Sequence, residues 1–156
     1  MAKKGLHAWW HVHPPGRASG SIEEAVVSTP EDVERLVAAL AQPDADDAYV
    51  THLARPSVVT PLVSEEEVPD HVVHLAVRDG WGYFTYAGDA AGWPAGFTGH
   101  PQGDPRSPGT HGSYGEYSAG SGLSIPVFTR LLTDFLVSAE LPTWIHWISE
   151  DGPAEP

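Results

Sequence analysis

At 156 residues the chain falls in the single-domain range. A domain of that size buries about 70% of its unfolded surface, so it needs no metal or disulfide staple, and it has no cysteine with which to build one. Eight Lys and Arg against 21 Asp and Glu give a net charge of −13, with no basic stripe able to follow a phosphate backbone. That balance argues against direct nucleic-acid binding and suits a partner with a basic surface, although it serves solubility equally well.

The opening Met1-Ala2-Lys3-Lys4-Gly5-Leu6-His7 has a basic tip with no apolar run behind it. No later stretch approaches the ~20 apolar residues of a spanning helix. The expectation is a cytoplasmic protein with neither signal peptide nor membrane anchor.

Residues 6–13 read as a first strand, with Trp9, Trp10 and Val12 among alternating histidines, ended by Pro14-Pro15-Gly16. A polar, flexible connection is expected from there to Ser28. Thr29-Pro30-Glu31-Asp32 is a helix start: a capping hydroxyl, a proline at the first helical position and two carboxylates where the dipole favours them. Val33, Leu36, Val37 and Leu40 then form one apolar stripe at helical spacing, and Pro43 closes the helix.

Strands are expected over 48–53 and 57–63, with Glu65-Glu66-Glu67 as a solvated turn. Residues 71–77 alternate, with Val73, Leu75 and Val77 on one face. Asp79-Gly80 marks a hairpin, and 82–86 is its return strand. Between Gly88 and Gly112 the chain is mostly Gly, Pro, Asp, Ser and His around Trp93 and Phe97. A loop that long is more often functional or mobile than filler.

A strand is expected over 113–118, followed by a bend at Ala119-Gly120-Ser121-Gly122. Ser124 caps a second helix beginning near Pro126. Val127, Phe128, Leu131, Leu132, Phe135 and Leu136 form its buried face, and Thr129, Arg130, Thr133 and Asp134 its wet side. A last strand over 143–148 carries Trp144 and Trp147, and Trp10, Trp144 and Trp147 are expected in or half in the core. Residues 1–148 form a single domain in this reading, with 149–156 an acidic flexible tail. The order predicts an α+β fold: a mostly antiparallel β-sheet with two helices packed on one face.

Catalytic signatures are few. His11-Val12-His13 places two imidazoles on one face of a strand, and His71, His74, His100 or His111 could supply a third metal ligand. No compact motif such as H-E-x-x-H accompanies them, and an exposed strand edge explains the pair more simply. Neither Ser113 nor Ser121 sits in a G-x-S-x-G elbow. No phosphate-binding glycine pattern occurs, and the deaminase signature H-x-E…P-C-x-x-C is impossible without cysteine. Glu116, flanked by Tyr114 and Tyr117, is the most interesting acid–base candidate, since aromatic neighbours could partly bury it and raise its pKa, but a strand carboxylate facing water or bonded to nearby backbone explains it more simply. The expectation is a non-enzyme with no catalytic residue, metal or cofactor. The alternatives are a small hydrolase or metal-dependent enzyme using the histidines, or an adaptor domain.

Several blocks resemble the Imm1 family of bacterial immunity proteins from polymorphic toxin systems. They are Trp9-Trp10, the strand–turn block from His74 through Arg78-Asp79-Gly80-Trp81 to Tyr86, and the Gly-rich stretch with Tyr114 and Tyr117. The ending Ile125-Pro126-Val127-Phe128, then Leu141-Pro142-Thr143-Trp144-Ile145-His146-Trp147, completes the set. The resemblance covers most of the chain as a pattern of sparse positions, and the proline-rich segment between Gly88 and Gly112 departs from it.

The resemblance implies a cytosolic protein that neutralises a toxin encoded beside it, often a nucleic-acid deaminase. It assigns no enzymatic residues. Residue type and turn position nominate Asp79, Trp81, Trp93, Glu116 and Tyr117 as toxin contacts, since exposed aromatics beside carboxylates suit a basic, nucleic-acid-modifying partner.

Overall fold

The structure, a computed structural model, describes residues 5–13, 20–54, 57–59, 67–69, 71–88, 96–99 and 122–149. Its first two strands, β1 (Leu6–Val12) and β2 (Ser21–Val27), form an antiparallel pair with seven matched positions. Helix α1 (Pro30–Leu40) follows, then β3 (Ala48–His52), the short strands β4 (Ser57–Val59) and β5 (Glu67–Pro69), and the long hairpin β6 (His71–Arg78) and β7 (Trp81–Gly88). Strands β8 (Gly96–Gly99) and β9 (Leu123–Ser124), helix α2 (Ile125–Ser138) and β10 (His146–Ser149) complete the order.

The main sheet runs β10-β8-β7-β6-β3-β1-β2, with β9 beside β7, while β4 and β5 form a separate pair. Every pairing among these strands is antiparallel. The fold is α+β, as the short connections predict.

Both helices cover one face of the main sheet. Leu6, Ala8 and Trp10 of β1, Val50 of β3, Val73 and Leu75 of β6 and Phe84 of β7 bury against α1 residues Val33, Leu36 and Leu40 and α2 residues Phe128, Leu131, Leu132 and Phe135. Period-two alternation in the strands and the 3.6-residue stripe in the helices produce this single core. Thr29 caps α1: its hydroxyl accepts from Asp32 N at 3.2 Å, and the Asp32 carboxylate accepts in return from Thr29 N. The Asp79-Gly80 turn places both residues at positive φ, 52° and 84°, the geometry a two-residue hairpin requires.

Two core histidines have fixed roles. His71 Nε2 accepts from His52 N at 2.8 Å. His52 Nδ1 accepts from Ala54 N, so its Nε2 carries the hydrogen donated to Leu136 O at 2.8 Å. That bond satisfies one of the carbonyls left over in the last turn of α2.

Several sequence expectations change. The supposed connection before Ser28 contains β2, because pairing with β1 along its whole length overrides the weak strand propensity of Glu23-Glu24-Ala25. The irregular segment after Gly88 contains β8, which joins β7 to β10. Of the strand expected over 57–63, β4 covers Ser57–Val59 and 60–63 lie outside the described residues, while Glu67, expected in a turn, begins β5. Ser124 stands at the N-cap of α2, but its side chain makes no capping hydrogen bond.

The last strand starts at His146, so Trp144 lies in the preceding turn and is 38% exposed. Its indole N–H donates to Asp134 Oδ2 at 2.7 Å, and the Arg130 guanidinium lies 4.2 Å from its ring centroid. Trp10 is buried, as expected. The strand expected over 113–118 and the tail beyond Ser149 lie outside the described residues.

Candidate functional site

Two surfaces border the residues nominated from sequence. The first is a groove of about 690 Å³ where α1, the start of α2 and the β6–β7 turn meet. Val37, Ala38, Val77, Ile125 and Pro126 give it an apolar floor, and Glu34 and Asp79 place carboxylates along it. Asp79 is exposed at the hairpin turn. The groove therefore combines apolar surface with negative charge, a combination that fits the stem and head of a Lys or Arg side chain.

The second surface is the sheet face opposite the helices. Strand register aligns Glu24, Trp9, Tyr49, His74 and Thr85 across β2, β1, β3, β6 and β7. The rings are in contact: His7 stacks on Trp9 at 5.2 Å, Trp9 on Tyr49 at 5.7 Å, and Tyr49 meets His74 edge-on at 4.7 Å. Towards the other end of this face Ala76 and Tyr83 are fully buried, with half-buried Trp81 packed on them. Asp47 and Arg78 form an ion pair on the same side, both largely buried.

The β6–β7 hairpin therefore divides two of the nominated residues. Asp79 borders the groove on the helix side, whereas Trp81 lies on the opposite face, because Gly82, its successor, is the one that meets α2. Trp93, Glu116 and Tyr117 lie outside the described residues. Sequence reasoning passed over Trp9, Tyr49 and His74 as a connected aromatic row. Alternation within β1 signals that adjacent Trp9 and Trp10 face opposite ways, but only the register shows which rings they meet.

The histidines are dispersed. His11 and His13 share a face, with ring centroids 6.2 Å apart, and His13 Nε2 lies 2.9 Å from Asp46 Oδ2. His71 is in the core and His74 on the opposite sheet face, while His100 and His111 lie outside the described residues. Among the described residues, no three His, Asp or Glu side chains come together as a metal-binding group.

The electrostatics at the start of α1 are structural. The Asp32 carboxyl is held below its ordinary value, chiefly by the hydrogen bond from Ser28 N and then by those from Thr29, with Arg35 adding its charge. It belongs to the α1 cap, away from both surfaces.

The family model for Immunity protein Imm1 matches residues 22–149, most of the chain. The chain belongs to the Imm1 family. No curated protein and no solved structure gives a match. Imm1 membership makes this an immunity protein and implies a toxin as its partner. The matched span runs from the edge strand β2 to the last residue of β10, so it includes both helices and the groove but leaves out β1, with His7 and Trp9 of the second surface. No helix among the described residues is long and apolar enough to cross a membrane.

Proposed function

We propose that this Imm1 protein binds its cognate toxin stoichiometrically in the cytosol of the producing cell. The toxin acts on nucleic acid, with a cytidine deaminase the leading candidate, and the bound complex is inactive. The observation that carries this reading is the family match over residues 22–149. The charge of −13 supports its finer part. An enzyme that works on DNA or RNA must attract phosphate, and a strongly acidic inhibitor competes for the same field. The protein itself performs no chemistry in this reading.

Asp79 and Trp81, on opposite sides of one hairpin, are proposed contacts together with Trp93, Glu116 and Tyr117. The carboxylates answer basic residues on the toxin, and the aromatic rings supply the anchoring area.

Co-expression with the toxin domain encoded beside this gene tests the proposal. The expected result is a one-to-one complex that abolishes toxin activity and weakens as salt rises. Separate elution at low salt, with the toxin domain folded, would refute it.

A further inference from the structure

Among the described residues strand β2 is an edge of the main sheet, guarded by the charges of Glu23 and Glu24 alone. Its partner is β1, it stands last in the sheet order, and its seven matched positions run without a bulge. Ser21, Ile22, Glu23, Glu24 and Val26 are exposed. Edge strands in soluble proteins are normally blunted by proline, lysine, bulges or a covering element, and β2 contains no proline and no lysine.

The outward-facing groups can be identified from β1. Gly5 O accepts from Leu53 N, His11 O accepts from Asp46 N, and His13 N donates to Asp44 O, so odd-numbered residues along β1 point their backbone groups towards β3. Even-numbered residues of β1 therefore point towards β2, where Leu6, Ala8, Trp10 and Val12 face Val27, Ala25, Glu23 and Ser21. By the same alternation, Ile22, Glu24 and Val26 direct their N–H and C=O groups away from β1, and among the described residues no strand pairs with these three donors and three acceptors.

The side chains of those residues share the helix-free face, where Ile22 is 62% exposed, Val26 58% and the Glu24 side chain 68%. The edge thus presents apolar, acidic and apolar positions in sequence.

We propose that β2 takes an extended, basic segment of the toxin by strand addition, an inference that rests on the immunity reading above. The incoming strand sets apolar residues against Ile22 and Val26 and a Lys or Arg against Glu24. Its backbone satisfies the open edge while its alternate side chains supply selectivity. Charge decides against a second copy of this chain in the same place. Full-length antiparallel self-pairing would set Glu24 directly opposite Glu24, in a chain already carrying −13.

The test is amide hydrogen exchange on the full chain, free and in complex with the adjacently encoded toxin domain, with affinities for the wild type, Glu24→Pro, Glu24→Lys and Glu140→Lys. Protection of the Ile22, Glu24 and Val26 amides in the complex is expected. Glu24→Pro removes an outward N–H and spares the β1 ladder, as an edge position allows. Glu24→Lys reverses the charge without touching the backbone.

Each Glu24 variant should weaken binding about tenfold or more, whereas Glu140→Lys, the same net change elsewhere, should have a far smaller effect. If the complex forms while these amides exchange as in the free protein and Glu24→Lys binds like the wild type, the edge proposal is overturned and the immunity reading stands. Protection of the same amides in a dimer of the free chain would also overturn it. If the wild type forms no complex with the folded toxin domain, the immunity reading fails and this inference fails with it.

Discussion

Gly82 offers the sharpest test of how the helices are seated on the sheet. Phe128, fully buried, lies flat against it. A methyl group at position 82 would be 2.5 Å from Phe128 Cδ1 and closer still to Cγ and Cδ2. Ordinary carbon contacts are about 3.5–4.0 Å, so the ring would have to retreat by roughly 1 Å or more.

Cγ is the root of the ring, not a flexible tip. Relief must therefore come from moving α2, bowing β7 or expelling Phe128. Overpacking of this kind costs about 1–3 kcal/mol, and outright loss of a buried phenylalanine costs about 3–5 kcal/mol. Reduced freedom in the unfolded chain returns only about 0.4–1 kcal/mol. Gly82→Ala should therefore destabilise by about 2–4 kcal/mol, and at ~2–4 °C per kcal/mol it should lower Tm by roughly 4–16 °C.

Thermal denaturation followed by far-UV circular dichroism reads the effect, and a double-mutant cycle assigns it. In a Phe128→Leu or Phe128→Ala background the clash is relaxed, so adding Gly82→Ala should cost little, with a coupling of about 1–3 kcal/mol. A Gly82→Ala protein melting within about 2 °C of the wild type, or strict additivity with Phe128→Leu, would refute the proposed seating of α2 on Gly82.

Asp32→Asn should lower stability at neutral pH by weakening the α1 capping box. Because the folded carboxyl is held below its ordinary value, its stabilisation is fully present above the unfolded value, near 3.8, and is lost as pH falls through the lowered folded value. Tm measured across pH should show the wild-type advantage shrinking below about pH 4. Ala139 terminates α2 at φ 61°, a left-handed conformation that glycine adopts more easily. Ala139→Gly should therefore stabilise by about 0.5–1 kcal/mol, read as a higher denaturant midpoint at unchanged slope. His52→Leu leaves the Leu136 carbonyl without its donor and should cost about 1–3 kcal/mol by urea unfolding, with His52→Asn partly restoring the loss.

The sequence determined the local elements whose signals are self-contained. Thr29 to Asp32 specify the start of α1 through side chains that bond their own backbone, and Asp79-Gly80 specifies a hairpin because few residue pairs accept two positive φ angles. The apolar stripes of both helices and the alternation of β6 likewise imply one core between a sheet and a helical layer. The resemblance to Imm1 was legible in the same way, and the match across residues 22–149 bears out the family itself, with Trp9-Trp10 outside the matched span.

Tertiary structure decided what depends on partners distant in sequence. Ser21 to Val27 become a strand because β1 lies alongside, since nothing in Glu23-Glu24-Ala25 demands one. Trp144 is exposed because the chain continues through a turn before pairing resumes at His146. The row of Trp9, Tyr49 and His74, the division of Asp79 from Trp81 and the open edge at Ile22, Glu24 and Val26 all follow from register. A shift of one residue would turn each side chain to the other face, and that choice is fixed by burying the apolar side of β1, β3, β6 and β7 in one core with the two helices.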